Sequence, residues 1–191
     1  MQALIIGDRH GEMPEIPEEG FDMIMAVGDI CGGADRMRST MFEAIDNEKE
    51  WYELFGEEEV KRSVKSSIEE GKEILSELNS LDVPVFVVPG NWDWTGENSD
   101  WKFLADKGYP KMLEEFENIH NLNFDSQEVK GWTVIGYGPC SGPEIPQYED
   151  EKPETDKELE EIKEEYREKK EELFEKVEVG ENFALLSHNV P

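Results

Sequence analysis

Carboxylate, imidazole and carboxamide side chains follow four separate apolar segments of this sequence, each at the point where the segment ends. They are Asp8, His10, Asp29, Asn91, Asp93 and His188. Oxygen and imidazole donors of this kind suit Mn²⁺, Fe, Zn²⁺ or Mg²⁺ better than soft metals. A carboxylate such as Asp29 can bridge two ions, and two ions about 3.5–4 Å apart can activate a water and clamp phosphoryl oxygens. The donor set therefore predicts a site for two divalent ions.

The segments that precede these donors are short apolar runs of continuous rather than alternating hydrophobicity. They span residues 2–7, 21–28, 83–90, 131–138 and 182–187. This pattern predicts strands that are covered on both faces. Helical patterns at 57–80 and 155–178 separate some of them. The alternation of strands and helices indicates the α/β class, as a layered sheet with flanking helices.

The carboxyl ends of parallel strands meet at one edge of such a sheet, which is where ligands bind. Asp8 and His10 are two residues apart, so an extended segment would point both side chains the same way. Glycines precede Asp8, Asp29 and Asn91, and we expect them to let the backbone turn sharply out of the sheet. The strand ends therefore predict one cluster of donors.

Two helices can be predicted from local patterns. Segment 57–80 carries one apolar stripe, which consists of Val60, Val64, Ile68, Ile74, Leu75 and Leu78. Gly71 in its middle is expected to weaken the helix slightly. Segment 155–178 opens with Thr155 and Glu158, a capping-box pattern, and its interspersed Glu and Lys residues favour a solvated helix over an acidic binding tail.

The charge balance restricts the classes of partner. The 191 residues include 47 acidic and 19 basic ones, for a net charge of −28, which should repel polyanions and disfavours extended nucleic-acid binding. A small phosphate ester remains compatible if bound cations reverse the local field. The two cysteines form no CxxC pair, and neither a secretory signal nor an apolar run of membrane-spanning length is recognisable. We therefore expect a cytoplasmic protein with no membrane contact.

The order D-x-H, G-D, G-N-x-D and a strand-end His resembles the calcineurin-like metallophosphoesterase family over nearly the whole chain. The resemblance implies a single domain over residues 1–191 with a layered β-sandwich and flanking helices. It implies that Asp8, His10 and Asp29 hold one metal, that Asp29, Asn91 and His188 hold a second, and that a hydroxide between the ions attacks phosphorus. Mn²⁺ is the favoured ion, with Fe, Zn, Ni and Mg as alternatives. The loop and acidic helix before "LLSHNVP" also look like archaeal members.

The sequence departs from the family pattern in two places. Many members have His after the motif Asn, where it protonates the leaving group, and this position is Trp92 here. The pattern also continues after the strand-end His with another strand and a Gly-His-x-His motif, whereas this sequence ends three residues after His188. We therefore expect each metal to lack one ligand, the last strands to be missing, and the chain to need a C-terminal segment or to pair with a second copy through an exposed sheet edge.

Three further residues of the motifs are candidates for supporting roles. Arg9 could meet a substrate phosphate or pair with one of the many carboxylates. Trp92 could form an apolar wall or stack on a base or aryl group of the substrate. Asp93 is predicted to support catalysis as a helix cap or as a partner that orients a ligand, rather than by coordination.

The function that these residues predict is hydrolysis of a small phosphodiester or phosphomonoester. One rival hypothesis is a non-catalytic metal-binding or regulatory relative, or a fragment that is inactive without its C-terminal segment. Another is an acidic scaffold in which the strand-end donors coincide by chance, which predicts that no metal binds. Neither the substrate nor the choice between diester and monoester can be predicted, because loops such as residues 31–56, rather than the motifs, are expected to contact the leaving group.

Overall fold

The computed structural model of the protein describes residues 1–18, 20–32, 35–47, 49, 51–90, 92–93, 108–138, 153, 155–176 and 182–188. Within these residues the strands are β1 (Ala3–Ile6), β2 (Met23–Ala26), β3 (Val85–Val87), β4 (Ile119–Asn121), β5 (Asp125–Val129), β6 (Trp132–Tyr137) and β7 (Phe183–Ser187). The helices are α1 (Asp35–Asp46), α2 (Trp51–Phe55), α3 (Glu57–Asn79), α4 (Tyr109–Leu113) and α5 (Asp156–Lys176).

The strands form two sheets of different character. The first has the order β1-β2-β3-β4 with every neighbouring pair parallel, and the second has the order β5-β6-β7 with one antiparallel and one parallel pair. All residues of β2 and β3 are buried, which confirms that these central strands are covered on both faces. The same prediction is wrong for β1 and β7, where Ile5 is 67%, Phe183 54% and Leu185 51% exposed, because each of these strands ends the order of its sheet.

Alternate residues of the central strands point into two different cores. Ile24 and Ala26 of β2 belong to a cluster with residues of α3, whereas Met23 and Met25 belong to a cluster with Val134 of β6 and residues of β7. On the far side of the second sheet, a third cluster joins β6 to α5. The layers therefore run helix, sheet, sheet, helix, which confirms the predicted α/β sandwich with flanking helices.

Helix α3 matches its predicted stripe closely. Its buried residues include every predicted apolar position except Ile68, which is half-buried and packs against the same cluster. Gly71 lies on this buried face, and a Cβ added there would come within 2.6 Å of Cys31 Sγ. The glycine expected to weaken the helix is therefore the point at which α3 packs against the loop that follows β2.

Helix α5 begins with the predicted capping box. The Glu158 amide donates to Thr155 Oγ1 over 3.2 Å, and the Thr155 amide donates to Glu158 Oε2 over 3.1 Å. Ion pairs at three- and four-residue spacing, such as Lys157–Glu161 at 2.8 Å, run along its exposed side. The prediction of a capped, solvated helix is therefore confirmed over the residues that the structure describes.

Several short elements were not predicted from the sequence. Residues 31–56 were expected to form a loop, but they contain α1 and α2, and the segment before β6 contains α4, β4 and β5. Strand β5 reads DSQEV, which has one apolar residue in five, and β4 has only three residues. Elements this short or this polar form through their neighbours in the sheet rather than through a local apolar pattern. None of the described helices is long and apolar enough to cross a bilayer.

Candidate metal centre

Three of the predicted ligands come together at the carboxyl ends of β1 and β2. Asp8 and His10 follow β1, Asp29 follows β2, and one donor atom from each lies within 4.8 Å of the others. Because β1 and β2 are adjacent and parallel, their carboxyl ends lie side by side. Sheet topology therefore explains how residues about twenty positions apart in sequence share one site.

The backbone of these ligands is left-handed rather than extended. The φ angles are 50° at Asp8, 50° at His10 and 52° at Asp29, so the prediction of an extended Asp8–His10 segment is wrong. The Asp8 amide donates to the Gly28 carbonyl over 3.2 Å, and the His10 amide donates to the Asp29 carbonyl over 2.9 Å. These hydrogen bonds between the two loops stabilise a left-handed backbone that costs about 1–3 kcal/mol per residue. Backbone strain of this kind is common at functional sites.

Gly28 is the glycine that the turn at this site requires. Its φ is +93°, and a Cβ there would come within 2.5 Å of the Gly90 nitrogen and 2.9 Å of His188 Nδ1. Neither Gly7 nor Gly90, the other two glycines expected to make sharp turns, has a positive φ. The chain turns at the ligand residues themselves, which have positive φ angles, while Gly28 allows the loops after β2 and β3 to approach each other closely.

The Asp29 carboxylate lies at the centre of the site. Its Oδ1 accepts the Trp92 amide hydrogen over 2.8 Å, while its Oδ2 lies 3.7 Å from His10 Nε2 and 3.4 Å from His188 Nε2. The side chain is almost fully buried. Burial raises the pKa of the Asp29 carboxyl, and the Trp92 amide and both imidazoles act in the opposite direction. One oxygen of Asp29 is therefore oriented by the protein, and the other faces both histidines.

His188 reaches this oxygen from the second sheet in a defined tautomer. Its Nδ1 lies 2.8 Å from the Val27 carbonyl oxygen, which can only accept, so Nδ1 carries the proton. In the neutral ring, Nε2 then keeps its lone pair, and it lies 3.4 Å from Asp29 Oδ2. A divalent cation could bind to both of these electron-pair donors. A histidine whose other nitrogen is bonded to a carbonyl is also how proteins orient metal ligands.

His10 is held in a different way. Its ring meets the Trp92 ring edge-on, with centroids 5.8 Å apart and planes at 88°. Its Nδ1 is buried and has no hydrogen-bond partner in the described part of the chain. A buried nitrogen in this condition normally costs about 1–3 kcal/mol. The nitrogen that faces Asp29 is Nε2, 3.7 Å from Oδ2, so the donor set and the His188 tautomer fit divalent cations.

The remaining predicted ligand, Asn91, lies outside the described residues. Asp93 is completely buried, and its carboxylate accepts backbone amide hydrogens from Asp29, Cys31 and Gly90. Burial raises its pKa to about 7, and the amides of Cys31 and Gly90 oppose the rise. Asp93 therefore has a supporting position behind Asp29.

The two candidate substrate contacts flank the ligands. Arg9 donates from Nε to the Glu12 carbonyl over 2.9 Å and from Nη2 to the Met13 carbonyl over 3.3 Å. Trp92 is half-buried and packs against the core cluster on the α3 side of the first sheet. Both side chains thus have structural contacts, and their contact with substrate stays a prediction.

Sequence reasoning missed the main-chain groups that orient the ligands. The Val27 carbonyl, the Trp92 amide and the Gly28 carbonyl each bond to a ligand residue. Every residue offers such groups, so no side-chain signal marks them. The glycine before Asp29 was expected to allow a sharp turn, and the close approach that it also allows was not predicted.

Comparisons with known proteins identify the family of the chain. The sequence model of the family described as "Calcineurin-like phosphoesterase" matches residues 1–191. One solved crystal structure is 19% identical to the chain with a TM-score of 0.45, and the match covers 71% of this chain and 51% of that one. The match spans about half the length of that structure's chain. No curated protein matches. Because the family match spans every residue of the sequence, the chain belongs to the calcineurin-like phosphoesterase family.

Proposed function

We propose that this chain hydrolyses a phosphate ester at a centre of two divalent ions that share the Asp29 carboxylate. The observation that supports this most directly is the position of Asp29 Oδ2, 3.7 Å from His10 Nε2 and 3.4 Å from His188 Nε2. Imidazoles from the ends of β1 and β7, one strand from each sheet, converge on this oxygen. Such convergence is what a carboxylate shared by two ions requires.

The proposed ligand sets follow the two sides of Asp29. Asp8, His10 and Asp29 would hold one ion, since their donor atoms lie within 4.8 Å of one another. Asp29, Asn91 and His188 would hold the other, with His188 kept in the Nε2-binding tautomer by its bond to the Val27 carbonyl. Mn²⁺ is the favoured ion, and Fe, Zn, Ni and Mg are alternatives with the same donor preference.

When bound, the ions would activate a water and neutralise charge on the phosphoryl oxygens. The protein would orient the ligands, because backbone hydrogen bonds join the loop that carries Asp8 and His10 to the loop that carries Asp29 before substrate binds. Arg9 has five N–H donors, of which two bond to the Glu12 and Met13 carbonyls, so others can face a phosphate. Trp92 would form an apolar wall beside His10.

The charge of the chain supports a small substrate. At a net charge of −28 the protein repels polyanions, and the positive field that attracts a phosphate would come from the bound ions themselves. Trp92 replaces the His that many members use as a proton donor. Esters whose leaving group needs no protonation should therefore react fastest.

The test is hydrolysis of bis-p-nitrophenyl phosphate and of p-nitrophenyl phosphate by the 191-residue chain, with each candidate ion added after chelation. Asp29→Asn removes the shared charge, and Asp22→Asn is the matched control at the opposite end of β2. We expect metal-dependent activity that falls more than roughly 100-fold in Asp29→Asn, because electrostatic stabilisation of this kind contributes about 10²–10³ in rate. Activity no higher than that of Asp29→Asn with every ion would refute the proposal.

A further inference from the structure

Asp93 joins the two loops that carry the proposed ligands Asp29 and Asn91, and it is completely buried. Its Oδ2 accepts hydrogen bonds from the Asp29 amide at 2.8 Å and from the Gly90 amide at 2.7 Å, and its Oδ1 accepts one from the Cys31 amide at 2.8 Å. Asp29 and Cys31 follow β2, whereas Gly90 follows β3. One carboxylate therefore fixes the end of each central strand relative to the other.

The bonding between these loops is reciprocal. The Asp93 carboxylate holds the Asp29 amide, and the Asp29 carboxylate holds the Trp92 amide at 2.8 Å through Oδ1. With Oδ1 engaged, Oδ2 is the oxygen presented to His10 and His188. Because Asp29 has a left-handed φ of 52°, its backbone depends on such partners to stay in place.

Asp93 lies in a closely packed part of the molecule. Asp93 and the neighbouring Cys31 are both fully buried, and α3 packs against Cys31 at Gly71, where no side chain would fit. Burial raises the pKa of the Tyr109 phenol, and the nearby charge of Asp93 adds to this rise. Close packing of this kind makes the position of the carboxylate sensitive to any change in size.

We propose that Asp93 is a positioning residue, which sets the orientation of the Asp29 carboxylate and through it the affinity of the centre for metal without contacting the ions. This inference rests on the proposed function and deepens it. A carboxylate is required because three N–H donors converge on one side chain, and a carboxylate is acceptor-only. The amide of Asn would turn an NH₂ group toward one of those donors and leave a buried N–H without a partner.

Two variants separate position from charge. Asp93→Asn keeps the size of the side chain but loses an acceptor, whereas Asp93→Glu keeps the charge and the acceptors but moves them by one methylene. If only the negative charge mattered, Asp93→Glu would keep the wild-type affinity for metal. The positioning role predicts that both variants lose affinity.

The experiment is titration of each metal-free protein with Co²⁺ at pH 8, followed by visible absorption and calorimetry, alongside thermal unfolding. Asp22→Asn is the control, since Asp22 also accepts a backbone amide, from Gln2 at 2.8 Å, and pairs with Lys130 at 2.6 Å at the far end of β2. We expect Co²⁺ to bind about 10–100-fold more weakly to both Asp93 variants, as for other partners of metal ligands. The Co²⁺ absorption should change with it, and Asp22→Asn should match wild type.

The outcomes distinguish the two proposals. Folded Asp93 variants with wild-type Co²⁺ affinity and spectrum would overturn the positioning role and leave the metal centre intact. A wild-type chain that binds no Co²⁺ would overturn the proposed function and this inference together. Should the Asp93 variants not fold, hydrogen exchange of the wild-type chain decides. The amides of Asp29, Cys31 and Gly90 must exchange as slowly as those of β2, and faster exchange contradicts the inference.

Discussion

Replacement of Gly28 by alanine tests the close approach on which the candidate centre depends. A methyl group at this position would come within 2.5 Å of the Gly90 nitrogen, 2.7 Å of the Gly90 Cα and 2.9 Å of His188 Nδ1. All three contacts belong to the elements that carry proposed ligands. The substitution should therefore push the loops after β2 and β3 apart and move His188 away from Asp29.

The chain offers a matched control for the backbone part of this effect. Gly131, in the turn between β5 and β6, also has a positive φ of +76°, but a Cβ there would meet nothing within 4 Å. Gly131→Ala should lower the unfolding free energy by about 1–2 kcal/mol, which is the cost of placing alanine in a left-handed backbone conformation. Gly28→Ala should cost the same plus about 1–3 kcal/mol of overpacking, or about 2–5 kcal/mol in total.

Thermal unfolding in the presence of a chelator measures the loss of stability. Titration with Co²⁺ measures the effect of displacing the ligands. Each kcal/mol should lower Tm by roughly 2–4 °C for a domain of this size. Gly28→Ala should also bind Co²⁺ at least about tenfold more weakly, because the ligands are displaced, while Gly131→Ala should bind as wild type does. Equal losses of Tm in the two variants, with equal Co²⁺ affinity, would refute the reasoning from close approach.

Two other variants test features of the fold and the site. Thr155→Ala removes the capping hydroxyl of α5 and should lower the unfolding free energy by about 1 kcal/mol, with hydrolysis unchanged; a fall in kcat would show that α5 contributes to the site. Arg9→Gln should raise KM for a phosphate ester roughly 10–100-fold through the loss of a charge-assisted bond, with Co²⁺ affinity unchanged. Weaker Co²⁺ binding at unchanged KM would instead mean that Arg9 acts only by tying the Glu12 and Met13 carbonyls.

Local patterns in the sequence were sufficient to predict the central strands and the two long helices. Strands β2 and β3 and helix α3 were predictable because their apolar spacing extends over whole elements, and α5 was predictable from its capping box, which is a purely local signal. The polar strand β5 and the three-residue strand β4 carry no such signal, since their pairing partners supply their stability.

The residues of the candidate site could also be selected from the sequence, because each donor follows an apolar run. The topology that brings Asp8, His10 and Asp29 within 4.8 Å of one another follows from parallel neighbours, which the α/β pattern indicates. The family that the order of those donors indicated is the one whose model matches residues 1–191. The sequence was therefore sufficient to predict the family and the approximate location of the candidate site.

Only the tertiary structure decided how the donors are oriented. The left-handed backbone at Asp8 and His10 depends on hydrogen bonds to a loop about twenty residues away, so an extended segment was a reasonable but wrong expectation. The role of Asp93 was open between a helix cap and an orienting partner, because its amide donors at Asp29 and Cys31 lie 64 and 62 residues away. Orientation is set by contacts between distant loops, and such contacts leave no periodic trace in the sequence.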